Sequence, residues 1–232
     1  MKINAVEHFA DISELVSAFQ YRPVVNVIGG GLPPAVSNYA AQLCEQAVVP
    51  TATACGACLV DGATDDGIMH VLGSAVHQAG SVVPLIGVTV EAKALWNTVD
   101  ADSSKKRYSL EPHHDQVILT PGTSFGGETA WMQEVIHAIT GQTHRSVAVL
   151  FSGGAITWRE VYASLQNRRP VLVCQGTGRA ADTLAAALQG GTIAEGCAPD
   201  FLGDLLAAKD LLKIIPNVAS LQLALKDALL SS

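Results

Sequence analysis

Five short apolar runs in this chain each end in a glycine-containing loop. The runs and the loops that follow them are residues 24–28 into 29–31, 58–61 into 62–67, 117–120 into 121–128, 147–151 into 152–154, and 171–174 into 175–182. Continuous apolar runs of this length are typical of strands covered on both faces, which predicts a parallel sheet. In such a sheet the loops at the carboxyl ends of the strands form the ligand-binding crevice.

Glycine in these loops has a chemical consequence. A residue without a side chain lets backbone N–H groups approach a ligand closely, and the amino terminus of a following helix favours negative charge. The repeated pattern therefore predicts a site for a small molecule that carries phosphate.

Length and charge limit the classes of protein to consider. A chain of 232 residues with 49% hydrophobic residues is expected to form one large α/β domain. The net charge of −7 argues against nucleic-acid binding, which needs a basic surface. The two basic clusters, Lys105–Arg107 and Arg168–Arg169, are interpreted as solvated loop residues.

The sequence also carries signals of location. No run approaches the roughly 18 apolar residues of a membrane span, and the N-terminus lacks the apolar region of a signal peptide. We therefore expect a cytoplasmic protein, and the odd number of five cysteines suits a reducing compartment. Cys55 and Cys58 have C-x-x-C spacing without a second such pair, which does not favour a metal or redox role. Cys58 is expected to begin a buried strand and Cys174 to end one.

The segments between the strands have helical spacing. Helices are predicted near residues 11–19, 35–48, 67–79, 127–140, 156–167 and 179–189. Asp11 is expected to cap the first of these helices, and Asp65 with Asp66 the third. A further strand is predicted at residues 82–88, an irregular stretch at 89–114, and helical structure from 190 to 232. Strands that alternate with helices predict right-handed crossovers and a doubly wound sheet.

The last glycine loop fits a known pattern. Residues 176–181 match G-x-G-x-x-A after a strand and before a helix. The dinucleotide fingerprint belongs on the first strand of such a unit, so a nicotinamide site is disfavoured here. Arg179 would lie near the helix N-terminus, within reach of a phosphate. Asp182 is expected either to stabilise that terminus or to contact the ligand.

The loop at residues 120–129 carries small hydroxyls and glycines before a helix. Glu128 falls in the first turn of that helix, where its carboxylate could accept ribose hydroxyls, act in acid/base chemistry, or bond local N–H groups. No G-x-S-x-G elbow or Walker Gly-Lys-Ser/Thr loop is present, which disfavours serine hydrolases and P-loop NTPases.

Adjacent histidines form the most metal-like segment, Glu111–Asp115. Neighbouring side chains on an extended segment point in opposite directions, so His113 and His114 are not expected to share a metal ion. One of the two is expected to face the ligand crevice instead.

Taken in order, these motifs resemble the SLOG superfamily, and within it the LSDAT branch. That branch includes the cytosolic N-terminal domain of melastatin-type TRP channels and stand-alone prokaryotic relatives. The resemblance rests on residues 27–31, 60–69, 110–114, 122–128, 151–154 and 171–182, and it extends from about residue 22 to residue 190.

The resemblance implies a Rossmann-like fold, with a core at about 22–190 and a helical extension at 191–232. It implies that the domain binds a nucleotide derivative, with ADP-ribose and its cyclic relatives as leading candidates and no cofactor required. The residues expected to bind the ligand are Gly29, Gly30, Gly31, Asp61, Gly62, Thr64, Gly67, Gly122, Thr123, Gly126, Gly127, Glu128, Gly153, Gly154, Gly176, Thr177, Gly178, Arg179 and Asp182.

A second function stays open at this point. Related SLOG members are phosphoribohydrolases that cleave an N-glycosidic bond, and their loop reads Pro-Gly-Gly-x-Gly-Thr-x-x-Glu. The corresponding loop at residues 121–128 reads Pro-Gly-Thr-Ser-Phe-Gly-Gly-Glu, which places Glu128 too early. We therefore favour binding over catalysis, with Glu128 as the catalytic candidate if the protein is an enzyme.

A stand-alone sensor lacks its own effector, so we expect an effector protein or self-association. The predicted helix at 218–230 carries a wide apolar stripe, formed by Val218, Leu221, Leu223, Leu225, Leu229 and Leu230. Either this helix covers the protein's own sheet or it forms a homo-oligomer contact, and a dimer is favoured.

Overall fold

The computed structural model describes residues 1–96, 106–194, 196 and 198–230. The strands are β1 (Lys2–Ala5), β2 (Val24–Gly29), β3 (Cys58–Asp61), β4 (Leu85–Val90), β5 (Ala94–Leu95), β6 (Tyr108–Ser109), β7 (Gln116–Thr120), β8 (Ser146–Phe151), β9 (Val171–Cys174) and β10 (Leu212–Ile215). The α-helices are α1 (Ala10–Leu15), α2 (Pro34–Leu43), α3 (Val49–Ala54), α4 (Gly67–Gln78), α5 (Thr129–Thr140), α6 (Ala155–Gln166), α7 (Arg179–Leu188), α8 (Leu202–Ala207) and α9 (Val218–Leu230).

Eight of these strands form one sheet in the order β1-β7-β4-β3-β2-β8-β9-β10, and every neighbouring pair in it is parallel. From β2 the chain builds outwards through β3, β4 and β7, and it then returns to the other side of β2 to add β8, β9 and β10. The order therefore reverses between β2 and β8, which is the switch point of a doubly wound sheet. This confirms the predicted Rossmann-like α/β class.

Helices cover both faces of the sheet. On one face α2, α3, α4 and α9 enclose an apolar core with Val25, Val27 and Leu59 of the central strands. On the other face α1 and α5 pack in one cluster, and α6, α7 and α8 pack in a second cluster. Burial on both faces explains why the strands read as continuous apolar runs.

Two strands of the eight-stranded sheet, β1 and β10, were not predicted from the sequence, nor was the separate pair of β5 and β6 within the stretch predicted to be irregular. β1 is a short, partly exposed edge strand that pairs with β7, so it has no buried apolar run to mark it. β10 pairs with β9, whereas the sequence of residues 190–232 predicted helix throughout. That prediction was wrong because Leu212–Ile215 is a short apolar run, and such a run fits a buried helix segment as well as a strand.

The start of one predicted strand was also misplaced. β4 begins at Leu85, whereas the sequence predicted a strand from residue 82. Pro84 has no N–H to give to a strand partner, and its carbonyl accepts from the backbone N–H of Leu59. Pairing in the sheet therefore starts only after the proline.

The predicted helix at 35–48 is longer than expected and interrupted. A π-helical turn, Cys44–Val48, joins α2 to α3, which continues to Ala54. Pro50 cannot donate to the carbonyl of Gln46, and its ring would crowd that carbonyl in a regular helix. The Gln46 carbonyl instead accepts from Nε2 of Gln222 at 2.7 Å, so α9 compensates for the interruption.

The predicted helix caps differ from the observed ones. Asp11 lies inside the first turn of α1 and accepts from the backbone N–H of His8 at 3.1 Å. Asp65 pairs with Nδ1 of His70 at 2.6 Å, and Asp66 precedes α4 without a side-chain capping bond in the described part of the chain. Asp11 and Asp65 therefore bond to partners other than the N–H groups of the helix that each was predicted to cap.

The apolar stripe of α9 serves mostly to cover the sheet. Leu221, Leu225 and Leu229 are fully buried in the protein's own core, whereas Leu223 and Leu230 are 60% and 58% exposed. Across the described residues, neither this helix nor any other has the length and apolar character to span a membrane.

Candidate functional site

A cavity of about 330 Å³ lies at the switch point of the sheet, a size within the usual range of small-molecule sites. We call it the switch-point cavity. The residues that line it are Val27, Gly29, Gly30, Gly31, Gly62, Thr64, Asp66, Met69, Tyr108, Phe125, Glu128, Gly154, Ala155, Ile156, Thr157, Glu160 and Arg179. Most of these residues come from the ends of β2, β3, β7, β8 and β9, the loops after them and the helices that follow, which is where the sequence predicted the crevice, and Tyr108 of β6 adds to them.

The rim of the cavity is formed by backbone. Gly29 ends β2, Gly30 and Gly31 follow it, and Gly154 lies after β8 and directly before α6. The first residues of a helix have N–H groups without partners inside the helix, and these carry partial positive charge. The first turn of α6 lines the cavity, so its amides are available to an anionic group.

Two glycines make the close packing of this rim possible. Gly67, at φ +54°, lies so close to Gly30 that a Cβ atom would be 2.2 Å from the Gly30 carbonyl oxygen. Gly153, at φ +94°, lies against Thr157, where a Cβ atom would be 2.5 Å from the side chain. Neither residue lines the cavity, so both shape the loops around it.

The floor of the cavity holds Glu160, which the sequence analysis missed. This residue of α6 is only 7% exposed, and its Oε2 has no hydrogen-bond partner among the described residues. Burial, with smaller contributions from the charges of Glu128 and Asp61, raises the pKa of Glu160 to about 8. At neutral pH the carboxyl group is therefore mostly protonated and can donate a hydrogen bond into the cavity.

Glu128 lies beside it, at the residue before α5. Its Oε2 accepts from the backbone N–H of Gly126 at 2.8 Å, which is the local bond that the sequence offered as one alternative. Burial raises the pKa of Glu128 against the lowering effect of that bond. Glu128 and Glu160 thus form a pair of buried acids, which we call the cavity carboxyls.

One wall of the cavity is apolar. The ring of Tyr108 meets the ring of Phe125 edge to face, with centroids 5.4 Å apart. Met69 and Ile156 line the same space. An aromatic and aliphatic wall opposite polar groups is typical of a site for a nucleobase or another flat, partly apolar group.

Among the described residues that line the cavity, the basic one is Arg179. It begins α7, its side chain is exposed, and its Nη1 donates to the carbonyl of Gly31 at 3.3 Å. This contact joins the loop after β9 to the loop after β2. The guanidinium group keeps further donors for an anion at the cavity mouth.

The remaining residues of the last glycine loop organise that loop. Asp182 accepts from the backbone N–H groups of Gly176 at 2.6 Å and Gly178 at 3.0 Å. Thr177 is buried, donates to the carbonyl of Cys174 and accepts from the N–H of Ser152. These residues were predicted to bind the ligand, but none of the four lines the cavity.

Asp61 also lies outside the cavity lining, in a buried ionic cluster under α4. Nε2 of His114 donates to Asp61 Oδ1 at 2.7 Å, and Nδ1 of His114 donates to Glu111 Oε2 at 2.9 Å. His113 completes this paired cluster through its contact with Glu111 Oε1 at 2.6 Å. The cluster joins the loop after β3 to residues 111–114. Two backbone bonds reinforce this contact, because the N–H of Asp65 donates to the Ser109 carbonyl and the N–H of Glu111 donates to the Ala63 carbonyl.

The paired cluster corrects the prediction for the two histidines. Residues 111–114 form a turn, so His113 and His114 both reach Glu111 instead of pointing in opposite directions. Neither histidine lines the switch-point cavity. Among the described residues, no three His, Cys, Asp or Glu side chains are placed to hold a metal ion.

Four predicted residues of the loop after β7 lie away from the cavity. Gly122 lines a separate cleft of about 290 Å³ together with Trp96 and Arg107, and Thr123 is exposed. Gly126 and Gly127 precede Glu128 without lining the cavity themselves. The loop therefore contributes through Phe125 and Glu128.

The basic clusters also differ from expectation. Arg169 is buried, donates through Nε to Ser146 Oγ at 2.9 Å and contacts Gln133, and burial lowers its pKa to about 10. Arg168 is exposed as predicted. Lys105 lies outside the described residues, and Lys106 stacks over the Tyr108 ring with Nζ 5.2 Å from its centroid.

A sequence signal for Glu160 did exist. Thr157, Glu160 and Ser164 are spaced so that they share the buried face of α6, where apolar residues would be expected. A charged residue in such a stripe, shortly after a glycine loop, indicates a functional position. The helix was predicted, but its buried polar stripe was not recognised.

Comparisons with known proteins agree with the fold and identify the family. A family model described as "SLOG in TRPM, prokaryote" matches residues 22–225. The human transient receptor potential cation channel subfamily M member 7 is 27% identical over 217 residues, covering 78% of this chain and 12% of that protein. Human member 6 of the same subfamily is 25% identical over 189 residues, covering 70% of this chain and 9% of that protein. The chain thus spans a small fraction of the length of these relatives.

Two solved structures show the same architecture. The molybdenum cofactor carrier protein from Chlamydomonas reinhardtii superposes with a TM-score of 0.54 at 18% identity, covering 90% of this chain and 99% of the other. The molybdenum cofactor binding protein from Rippkaea orientalis superposes with a TM-score of 0.55 at 16% identity, covering 89% of this chain and 96% of the other. At these identities the likeness is one of fold.

Proposed function

This chain belongs to the family of prokaryotic SLOG domains of the TRPM type, and from that premise we propose that it binds a nucleotide derivative in the switch-point cavity. ADP-ribose and cyclic ADP-ribose isomers are the leading ligands. The proposal is one of binding and sensing, with no cofactor required.

One observation carries the proposal: a buried acid without a partner faces a cavity that is rimmed by backbone amides. Glu160 Oε2 is unpartnered among the described residues, and leaving a buried polar atom unsatisfied costs about 1–3 kcal/mol. A ligand hydroxyl or ring nitrogen at that position would remove the cost. Ribose and adenine supply such groups.

The rim supports the phosphate-bearing part of the ligand. Arg179 and the first turn of α6 lie at the cavity mouth, so a diphosphate there meets a guanidinium group and helix amides. ADP-ribose should therefore bind more tightly than adenosine, which lacks phosphate.

Titration calorimetry with ADP-ribose, cyclic ADP-ribose and adenosine tests this proposal. We expect ADP-ribose-type compounds to bind best and to raise the melting temperature, because a ligand that binds only the folded state stabilises it. The proposal fails if no ADP-ribose-type compound binds, or if adenosine binds as tightly.

A second function is kept because of the cavity carboxyls. Glu128 and Glu160 both have raised pKa values at the same cavity, and paired acids of this kind serve in N-glycosidic bond cleavage. Release of free base from a nucleoside monophosphate by the unmodified protein, abolished in Glu128→Gln, would favour this enzyme. We expect no release, because the loop at residues 121–128 departs from the hydrolase pattern.

Three further expectations belong to the proposal. Residues 1–232 act as one domain in the cytoplasm, and ligand binding is passed on through an effector protein or a homo-oligomer. Leu223 and Leu230 are the exposed apolar residues of α9 that a dimer contact would use. Light scattering at micromolar concentration, with and without ligand, tests the oligomer, and a single-chain mass in both states would contradict it.

A further inference from the structure

A second space lies next to the switch-point cavity. This α6–α7 cleft, of about 630 Å³, is lined by residues that include Trp158, Arg159, Thr183 and Phe201. Gly154, Ala155 and Arg179 line both the cavity and the cleft. The two spaces therefore meet over the start of α6, where one elongated ligand can occupy both.

The two spaces differ in charge. Three acidic residues line the switch-point cavity, namely Asp66, Glu128 and Glu160. Among the described residues that line it, the basic one is Arg179, at the cavity mouth. In the cleft, Arg159 joins Arg179, and Asp200 is the acidic residue. A phosphate group meets two guanidinium groups in the cleft, whereas the inner part of the cavity offers it carboxyl groups and no cation among the described residues. An asymmetric ligand therefore has one preferred orientation.

Arg159 stands out because nothing in the described part of the chain neutralises it. It forms no hydrogen bond or ion pair there, although the chain as a whole has an excess of acidic residues. If Gly126 carried a Cβ atom, that atom would lie 3.6 Å from Arg159 Nη1. The Arg159 side chain therefore lies beside the loop that carries Glu128. An unpaired guanidinium group at a cleft has its fork of donors free for a phosphate.

We propose that Arg159 is a phosphate-binding residue of a second subsite, and that the ligand places its uncharged nucleoside end against Glu160 while its diphosphate and distal sugar lie between Arg159 and Arg179. This inference rests on the proposed function and adds to it the orientation of the ligand and the residue that selects for a second phosphate. The α6–α7 cleft then holds the distal ribose.

Calorimetry with adenosine, AMP and ADP-ribose on the unmodified protein, Arg159→Gln and Arg168→Gln tests it. Arg168 is an exposed arginine at the far end of α6, so Arg168→Gln removes the same charge without touching the cleft. Arg159→Gln should weaken ADP-ribose by at least about tenfold, the loss expected for a charge-assisted hydrogen bond. Adenosine should be unaffected, and Arg168→Gln should leave all three ligands unchanged.

The outcomes separate this inference from the proposed function. If the unmodified protein binds none of the three ligands, the proposed function fails. If it binds ADP-ribose but Arg159→Gln and Arg168→Gln behave alike, the second subsite is wrong while the proposed function stands. Equal weakening of adenosine and ADP-ribose in Arg159→Gln would overturn the orientation. Both arginines are exposed, so we expect each ligand-free variant to keep the melting temperature of the unmodified protein. Measuring these melting temperatures checks that each variant is folded.

Discussion

The paired cluster and the cavity carboxyls are both buried groups of ionisable side chains near the carboxyl ends of the central strands, yet they differ in how they are satisfied. In the paired cluster His114 lies between Asp61 and Glu111, and three of the four carboxylate oxygens are bonded. In the cavity, Glu128 has one bond to a backbone N–H, and Glu160 Oε2 has none among the described residues.

This contrast separates architecture from function. Buried charges that pair with one another fix two segments of chain together. Asp61 Oδ2 is the one carboxylate oxygen of the paired cluster without a partner among the described residues, and Asp61 does not line the cavity. Buried acids that lack partners destabilise the folded state unless something else completes them. We therefore expect the paired cluster to act in stability and propose the cavity carboxyls as ligand contacts, although the sequence indicated Asp61 and one histidine as site residues.

Replacing His114 should give the largest effect on stability. His114→Leu leaves two buried carboxylates without their cation, so we expect a loss of about 3–5 kcal/mol in the free energy of unfolding. His113→Leu is the matched control, because that side chain is 29% exposed and should cost about 1 kcal/mol. Denaturant unfolding measures both, and equal losses would remove the distinction between the two histidines.

The paired cluster should also make stability depend on pH. Burial alone would lower the pKa of His114, but the charges and bonds of Asp61 and Glu111 raise it to about 10. The stabilisation is fully present below the unfolded pKa of about 6.5 and is lost as the pH rises towards 10. We expect the free energy of unfolding to fall by up to about 1.4 kcal/mol per pH unit in that window. A flat profile, or the same slope in His114→Gln, would contradict the assignment.

Glu160→Gln should have a smaller effect of the opposite sign. The raised pKa of Glu160 means that the folded chain keeps a proton that the unfolded chain releases above about pH 4.5, so the carboxyl destabilises the fold as the pH rises to 8. Glutamine stays neutral. We expect little change at pH 4.5 and a gain of about 1–3 kcal/mol near pH 8.5.

The exposed Glu45→Gln provides the control for Glu160→Gln, and it should change the free energy of unfolding by less than about 0.5 kcal/mol. Both variants can be followed by urea unfolding at the two pH values. A loss of stability in Glu160→Gln at high pH would place Glu160 among the paired, structural groups.

Arg179→Ala should have the smallest effect without ligand. The side chain is exposed and its bond is to a single carbonyl, so we expect a change within about 0.5 kcal/mol in stability. Binding of a phosphorylated ligand should weaken by about 1.5–3 kcal/mol, as expected for a lost charge-assisted bond. A large drop in melting temperature without ligand would show that Arg179 holds the two loops together.

The sequence was most informative where burial imposes a simple pattern. Six of the eight strands of the main sheet were predicted, because strands covered by helices on both faces must be continuously apolar. β1 and β10 lie at the edges of the sheet, where that requirement is relaxed. The position of the crevice followed from the parallel order, since it depends on the topology and not on individual side chains.

The site itself could be predicted only in part. Gly29–Gly31, Gly154 and Arg179 were expected from loop chemistry and do line the cavity, whereas Asp61 and Thr177 resemble ligand residues in sequence but bond to other parts of the protein. Whether a polar residue satisfies its neighbours or faces a cavity depends on contacts between distant segments. Glu160 was missed for the same reason, because its environment is assembled from α6 and the loop after β7.

The position of β2 at the centre of the sheet also sets the order in which the molecule can assemble. Val24 pairs with Cys58 on one side but with Ser146 on the other, so the second contact must wait for most of the chain to be synthesised. The half built around β3, β4 and β7 can form first during translation, and closing the long loop back to β8 carries the larger entropic cost. The cavity lies between these halves, so it is complete only after β8, α6 and the start of α7 have joined the sheet.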